Sequence, residues 1–397
     1  MKRTVLFVFS LFVGLAASAQ YYQDVVNKEM LRIRQPRTLQ RKHINLPSID
    51  GYTPYKADLH THTIFSDGHL SMEGRVRDAW ADGIDVMAVT EHLEHRPHEN
   101  TFVKYLRGYT NGANAKNNTF VSKNRPASAA DINVDLNYPV RVARIVAQKY
   151  EVTIIPGIEI TRREGETCHF NALFTTDNNA IYAPETIESI RNAKKQGALV
   201  MHNHPGWTHK DMKITKYEKK VYDAGLLDGI EIMNGAEFYP QAIERAKKYN
   251  LFMTSTTDIH YSSNEQYGNY GELRNMTIIY AKDKTLESLR EAIEAHRTLA
   301  FSYGTLAGDE ELLRKFFEAS VSARKVHQYS GGRIEVLFTN TSSVDWLLVC
   351  EGEKMMELKG NSSILVRIDP SKAKSQFTVL NTWYGENKHL VHDFKLW

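Results

Sequence analysis

From Tyr55 onward the chain alternates short apolar runs with longer amphipathic ones. Segments of strand length fall at 56–59, 85–90, 152–158, 168–174, 198–202, 229–233 and 251–256. Most are rich in β-branched or aromatic residues and end in polar or acidic ones, the pattern of buried strands with solvated ends. Helical patterns lie between several of them. Residues 71–82 begin at Ser71, a good N-cap, and stop near Gly83. Residues 185–196 start after Pro184 and end at Gly197, and residues 285–297 begin at Thr285 and place Leu286, Leu289 and Ile293 on one stripe. Alternation of this kind predicts an α/β fold with a parallel sheet. Seven strands within about 250 residues predict closure into a β/α barrel, which we place at residues 51–308.

The pattern changes in residues 309–397. A helix at 309–321 is followed by short strands at 333–339, 346–350, 363–368 and 376–382, with turn residues such as Ser330-Gly331-Gly332 between them. This predicts a linking helix and a small β-sandwich, read as a packing or accessory module because it carries no catalytic constellation. Two connections are long and polar, at 93–136 and 262–275. Both leave the predicted barrel mouth, where such loops act as lids or are merely mobile.

The N-terminus departs from this pattern. Lys2 and Arg3 precede an apolar run from position 5 to 17, and Ala17-Ser18-Ala19 offers small residues at a cleavage spacing. Residues 1–19 therefore read as a bacterial-type signal peptide, too short in its apolar run to span a bilayer, and the mature chain is expected in the periplasm or outside the cell. Residues 20–50, with Arg32, Arg34, Arg37, Arg41 and Lys42, read as a basic arm. No later stretch is long and apolar enough for a transmembrane helix. With 42% hydrophobic and 24% charged residues the whole chain reads as an ordinary globular protein. Its formal charge of +3 gives no electrostatic case for specific nucleic-acid binding. Only Cys168 and Cys350 occur, too few for a disulfide framework, and strand alternation sends Cys168 to the face opposite His169.

The sixteen histidines are more telling. The first strand runs into Asp58-Leu59-His60-Thr61-His62, with Asp67 in the following turn. Alternate residues share a face, so His60 and His62 can grip one cation. A lone H-x-H could arise by chance, but the location recurs. Strand two ends in Glu91-His92, strand three in Glu159, strand four carries His169, strand five ends in His202-Asn203-His204, and strand seven in Asp258-Ile259-His260. In a β/α barrel these ends build the active site. Imidazole and carboxylate without thiolate suit zinc, manganese or iron, and so many candidate ligands imply two or three ions.

The successive motifs D-L-H-T-H-T-x-x-S-D-G, T-E-H, P-G-I-E, H-P-G and T-D-I-H resemble those of the PHP (polymerase and histidinol phosphatase) family of metal-dependent phosphoesterases. The likeness spans roughly residues 55–305. It implies a distorted seven-stranded β/α barrel. Carried over by position, it puts His60, His62, Glu159 and Asp258 on a first ion, and Asp67, His92 and His260 on a second. Glu159, His169 and His204 would hold a third, with Glu159 bridging. The family usually has Asp where Glu91 stands, which leaves that residue's role open. A trailing β-domain on an exported barrel resembles the secreted phosphodiesterase branch.

The resemblance implies hydrolysis of a small phosphate ester by a metal-bridging hydroxide in a di- or trinuclear site. His202 is a candidate proton donor, and Arg162 and Arg163 are candidate contacts for the phosphate oxygens. A phosphodiester is the preferred substrate. A phosphomonoester, such as a nucleotide or sugar phosphate, and a non-catalytic exported metal-binding protein remain as alternatives. Oligomeric state is not legible.

Overall fold

The computed structural model describes residues 40–101, 106–110, 126, 128–163, 167–207, 209–267, 273–350, 354–371 and 375–396. The expected signal peptide, most of the expected arm and much of the loop at 93–136 lie outside the described residues. Of the arm, Arg41 forms an ion pair with Asp85, and Lys42 lies 3.4 Å from Asp82.

The seven segments expected to be strands correspond to β1 (Thr53–Asp58), β2 (Val86–Val89), β3 (Thr153–Arg163), β4 (Thr167–Leu173), β5 (Leu199–His202), β6 (Gly229–Asn234) and β8 (Phe252–Thr256). With β7 (Glu237–Phe238), β9 (Met276–Ala281), β10 (Thr298–Ser302), β11 (Thr305–Gly308) and β18 (Thr382–Trp383) they make one curled 12-stranded sheet. Its order is β18-β11-β10-β9-β1-β2-β3-β4-β5-β6, after which β7 and β8 both pair with β6. The sheet is mixed, which corrects the all-parallel expectation. β1, β2 and β3 run parallel, as do β5, β6 and β8, but β4 is antiparallel to both β3 and β5. Only residues 164–166 separate β3 from β4. That is room for a hairpin and far too little for a parallel crossover, which takes a dozen residues or more.

Eight helices are described: α1 (Met72–Ala81), α2 (Tyr138–Ala147), α3 (Thr186–Lys195), α4 (Lys216–Asp223), α5 (Pro240–Tyr249), α6 (Ser263–Tyr267), α7 (Leu286–Glu294) and α8 (Glu310–Ser320). The hydroxyl of Ser71 accepts from the Gly74 amide at 3.2 Å, and Thr285 caps α7 in the same way at 3.3 Å. Strand alternation divides the core between two faces. Met87 and Val89 join Met72 and Val76 of α1 and Val140 and Ala143 of α2 on the outer face. Val86 and Ala88 join Ile155, Leu199 and Met201 on the inner one. The segments that follow β1 and β8 meet beside that inner cluster. The Asp258 amide donates to the His60 carbonyl at 3.0 Å, and the His62 amide donates to the Ile259 carbonyl at 3.2 Å.

After α8 come two antiparallel sheets. β12 (Val321–Gln328), β13 (Ile334–Asn340) and β16 (Ser362–Ile368) form one. β14 (Trp346–Cys350), β15 (Met356–Leu358), β17 (Gln376–Val379) and β19 (Leu390–Asp393) form the other. Alternate residues of β13 and β14 are buried, and Phe338 meets Phe377 across the sheets at 5.6 Å. This region is not merely appended. α8 buries Phe316 and Phe317 against Trp346, and β18 pairs with β11 of the main sheet. Cys168 and Cys350 are buried and form no disulfide with each other. Among the described residues no helix is long and apolar enough to cross a membrane.

Candidate metal centre

β1 stops at Asp58, so His60 and His62 stand just beyond the strand rather than on it. Two contacts hold that excursion in place. Gly68 passes so close to His62 that a Cβ there would lie 2.7 Å from its carbonyl carbon. From below, the buried Arg75 of α1 donates through Nε to the His62 carbonyl at 3.1 Å and through Nη1 to the Tyr261 carbonyl at 2.7 Å. One guanidinium thus ties the loop after β1 to the loop after β8. A second buried arginine, Arg274, pairs with Asp58 and lies 3.3 Å from Asp82.

Above this base nine side chains converge. His60 Nε2 lies 3.1 Å from His62 Nε2, 3.3 Å from Glu159 Oε1 and 3.3 Å from Asp258 Oδ1. His62 Nε2 approaches Asp258 Oδ1 at 3.0 Å. Asp67 meets His260 Nε2 at 3.1 Å and His92 Nε2 at 3.4 Å. Glu159 Oε1 lies 3.1 Å from His169 Nδ1 and 3.7 Å from His204 Nε2. Ligand atoms lie within 4.8 Å of one another in three groups: His62, Asp67, His92 and His260; His60, His62 and Asp258; and Glu159, His169 and His204. All nine residues expected as ligands are therefore brought together.

Two of them, His204 at φ 27° and Asp258 at φ 50°, adopt left-handed backbone, which side chains other than glycine rarely tolerate without local support. At His204 the support is visible, because its amide donates to Glu231 Oε2 at 2.6 Å.

The electrostatics couple the carboxylates and imidazoles of the cage closely to one another. Burial opposes ionisation of Glu159, yet His92, His60 and His169 hold it well below the usual carboxylate range, and His60 and His62 do the same for Asp258. Burial pushes His60 down, but Asp258, Glu231 and Glu159 carry it well above its ordinary value. His62, buried beside His92 and His260, falls to about 3, and burial takes His169 to about 4. Asp67 Oδ1, Glu159 Oε2 and His169 Nε2 are buried and make no well-aligned hydrogen bond, although His260 Nε2 lies 3.1 Å from the first and His92 Nδ1 lies 2.6 Å from the second. Buried lone pairs are normally satisfied. Lone pairs of imidazole and carboxylate aimed at shared points fit divalent cations, so this donor set suits the metals expected from the sequence.

His202 does not join the cage. Its Nδ1 lies 2.9 Å from the Tyr222 hydroxyl and its Nε2 lies 3.1 Å from Glu218 on α4, so the imidazole is held on the helix side of β5. The residue expected to be the proton donor is thus set apart from the nine expected ligands. Glu91 is likewise engaged, accepting from the Thr63 amide at 3.1 Å and from the hydroxyls of Thr63 and Ser66. The backbone of Arg162 and Arg163 continues β3, and their side chains lie outside the described residues.

Sequence reasoning missed the supporting shell. Glu231 Oε1 accepts from His60 Nδ1 and Thr256 Oγ1, each at 2.7 Å, and Asn203 Nδ2 donates to Glu159 Oε1 at 2.8 Å. The sixth strand had seemed to deliver no polar side chain to the rim. Glu231, alone among Ile230, Ile232 and Met233, was the available signal. The space above the cage is a cavity of about 210 Å³ lined by Asp67, His92, His95, Thr161, His169, His204, Trp207, Asp258 and His260.

No family model matches the chain, and no curated protein matches it. Among solved structures it is similar to a two-domain protein containing a predicted PHP-like metal-dependent phosphoesterase from Bacteroides vulgatus ATCC 8482. That match has 32% identity and a TM-score of 0.75, covering 89% of this chain and 98% of that one. The lesion-specific endonuclease PfuEndoQ from Pyrococcus furiosus (17% identity, TM-score 0.39, 65% of this chain and 60% of that one) is too distant to argue from. The same holds for an amidohydrolase from Chromobacterium violaceum (14% identity, TM-score 0.35, 53% of this chain and 89% of that one).

Proposed function

The chain belongs to the PHP-like metal-dependent phosphoesterases, and from that premise we propose that it hydrolyses phosphodiesters at the histidine–carboxylate cage. The observation that carries the reading is the convergence of imidazole and carboxylate ligand atoms in three buried groups, in which Asp67, Glu159 and His169 each keep an atom without a well-aligned hydrogen bond. We assign His60, His62, Glu159 and Asp258 to one ion. Asp67, His92 and His260 take a second, and Glu159, His169 and His204 a third, with Glu159 shared. Zinc, manganese or iron held there would supply Lewis-acid charge and make water nucleophilic at neutral pH.

The remaining work falls to the chain's own residues. Asn203 and Glu231 fix the orientation of Glu159 and His60. His95 lines the cavity without belonging to a ligand group, and we assign it the proton delivered to the departing oxygen. Among the described residues lining the cavity there is no lysine or arginine, which suits the single negative charge of a diester. A monoesterase reading is favoured by one feature, the pair Arg162-Arg163 directly following cavity-lining Thr161, which would serve the second charge of a terminal phosphate.

We place the chemistry in residues 51–308, read as the family's distorted seven-stranded barrel carrying extra strands. Residues 309–397 are read as a linking helix and β-sandwich, and residues 1–19 as the leader that exports the chain. The test is purified mature protein assayed side by side on bis(4-nitrophenyl) phosphate and 4-nitrophenyl phosphate, with elemental analysis. We expect two or three transition metals per chain, a higher kcat/KM on the diester, and loss of both activities on chelation. A metal-free protein with full activity, or turnover of the monoester alone, rejects the reading.

A further inference from the structure

The cavity above the cage is smaller than its presumed substrates. Pockets that enclose a whole organic ligand usually span about 300–1,000 Å³. At about 210 Å³ this one takes a phosphoryl group and its nearest atoms, so the rest of an ester must lie over the rim. What stands at the rim is therefore what reads the substituent.

Of the cavity's described lining residues, Trp207 is the one whose side chain carries no carboxylate, imidazole or hydroxyl. It is 49% exposed, an unusual state for the largest apolar side chain. The turn that presents it is built for the purpose. The Trp207 amide donates to the His204 carbonyl at 2.9 Å, closing His204-Pro205-Gly206-Trp207 into a tight turn. Gly206 within it abuts the Tyr239 ring so closely that a Cβ would lie 2.5 Å away. The indole leans on His169 at 5.4 Å and on His204 at 5.3 Å between ring centroids. One side is thus fixed against two ligand imidazoles, while roughly half of the residue's surface is left to solvent beside the cavity.

We infer that Trp207 is a stacking platform that selects phosphate esters bearing a planar, nucleoside-type ring. This rests on the phosphodiesterase reading and narrows its substrate class. A neutral π-face recognises any base, so the preference is for a planar ring rather than for one sequence of donors and acceptors. Stacking of a base on an aromatic side chain contributes about 1–3 kcal/mol, or roughly a 5- to 150-fold effect.

The experiment compares two diesters with one leaving group, thymidine 5′-(4-nitrophenyl phosphate) and methyl 4-nitrophenyl phosphate, on metal-loaded enzyme. The wild type should prefer the thymidyl ester, chiefly through KM. Trp207→Ala should cut that preference about 5- to 150-fold, and Trp207→Phe should keep most of it. Calorimetric binding of thymidine 5′-monophosphate should weaken in parallel in the alanine variant. Equal loss on both esters, or no preference in the wild type, overturns the platform while leaving the phosphodiesterase reading intact. If neither ester turns over, the phosphodiesterase reading falls and takes this inference with it.

Discussion

Replacing Glu231 with glutamine tests whether the cage works as one unit, because Glu231 touches two of its ligand groups without being a proposed ligand. Its Oε1 accepts from His60 Nδ1 and Thr256 Oγ1, and its Oε2 accepts from the His204 amide at 2.6 Å and Asn234 Nδ2 at 2.8 Å. Four donors face two carboxylate oxygens. A glutamine presents one oxygen and one NH₂, so it sets its NH₂ either against the His204 amide and Asn234 Nδ2 or against His60 Nδ1, the Thr256 hydroxyl being able to turn and accept. The partner of His60 is the costly one, because a carboxylate behind a ligating imidazole fixes its tautomer and raises its basicity. Losing such a partner typically costs 10- to 100-fold in metal affinity, equivalent to about 1.4–2.8 kcal/mol. That matches the roughly 1.5–3 kcal/mol of one charge-assisted hydrogen bond. Glu231→Gln should therefore bind the weakest of its metals 10- to 100-fold less tightly in chelator competition. It should also recover most of its kcat when metal is supplied in excess. Metal affinity within twofold of wild type would refute the coupling and reduce Glu231 to a packing residue.

Glu159→Gln should cost more activity and more metal than any single histidine change, because Glu159 is proposed to be shared between two ions; equal losses on elemental analysis would remove the shared role. Metal uptake should tighten from pH 6 to pH 8 and release protons, since His60, His92, His204 and His260 are raised above their ordinary value and must deprotonate to ligate; pH-independent affinity refutes this. In the metal-free protein the depressed Asp67, Glu159 and Asp258 contribute stability that is present above about pH 4 and lost in acid, while those histidines contribute stability that is lost as pH rises through their raised values. His62 and His169, lowered to about 3 and about 4, contribute stability that is present above about pH 6.5 and lost as pH falls. The melting temperature should thus peak at about pH 6.5 and fall on either side, and a flat profile would refute the assignment. Truncation after residue 325 should not leave a stable barrel, because it strips β18 from the main sheet and uncovers Leu313, Phe316 and Phe317, which their burial stabilises by about 1.5–3 kcal/mol each; a truncate melting like the full chain refutes it.

Eight of the nine cage residues were legible because each is a polar side chain at or beyond the C-terminal end of an apolar run, where the folding chain has no apolar use for it; His169 stands at the start of its strand, and antiparallel β4 brings that start to the same rim. Regular alternation also located the seven strands around the cage. What the pattern could not convey was pairing direction. The apolar character of β4 is the same whether it runs parallel or antiparallel to β3, and only the shortness of the 164–166 connection distinguishes the two. The hairpin of β10 and β11 was passed over although Tyr303-Gly304, both at positive φ, marks a two-residue turn between apolar runs.

His202 went astray for a related reason. His202 and His204 share a parity, so a strictly regular strand would aim both at the cage. The chain leaves β5 at His202, and the left-handed backbone at His204 swings the second imidazole inward while the first keeps its outward direction toward Glu218. The same departure occurs at His60, His62 and Asp258, each beyond the end of its strand. The ligands sit where regular structure has ended and the backbone is shaped by neighbours, namely Gly68, Arg75 and Glu231. Strand periodicity can say which chain ends reach the site; the direction of each side chain is decided by those neighbours, whose role emerges only when the ends are assembled. Positions such as Arg75 and Glu231, apolar in context and charged in kind, are therefore the ones whose substitution should disturb the metals without touching them.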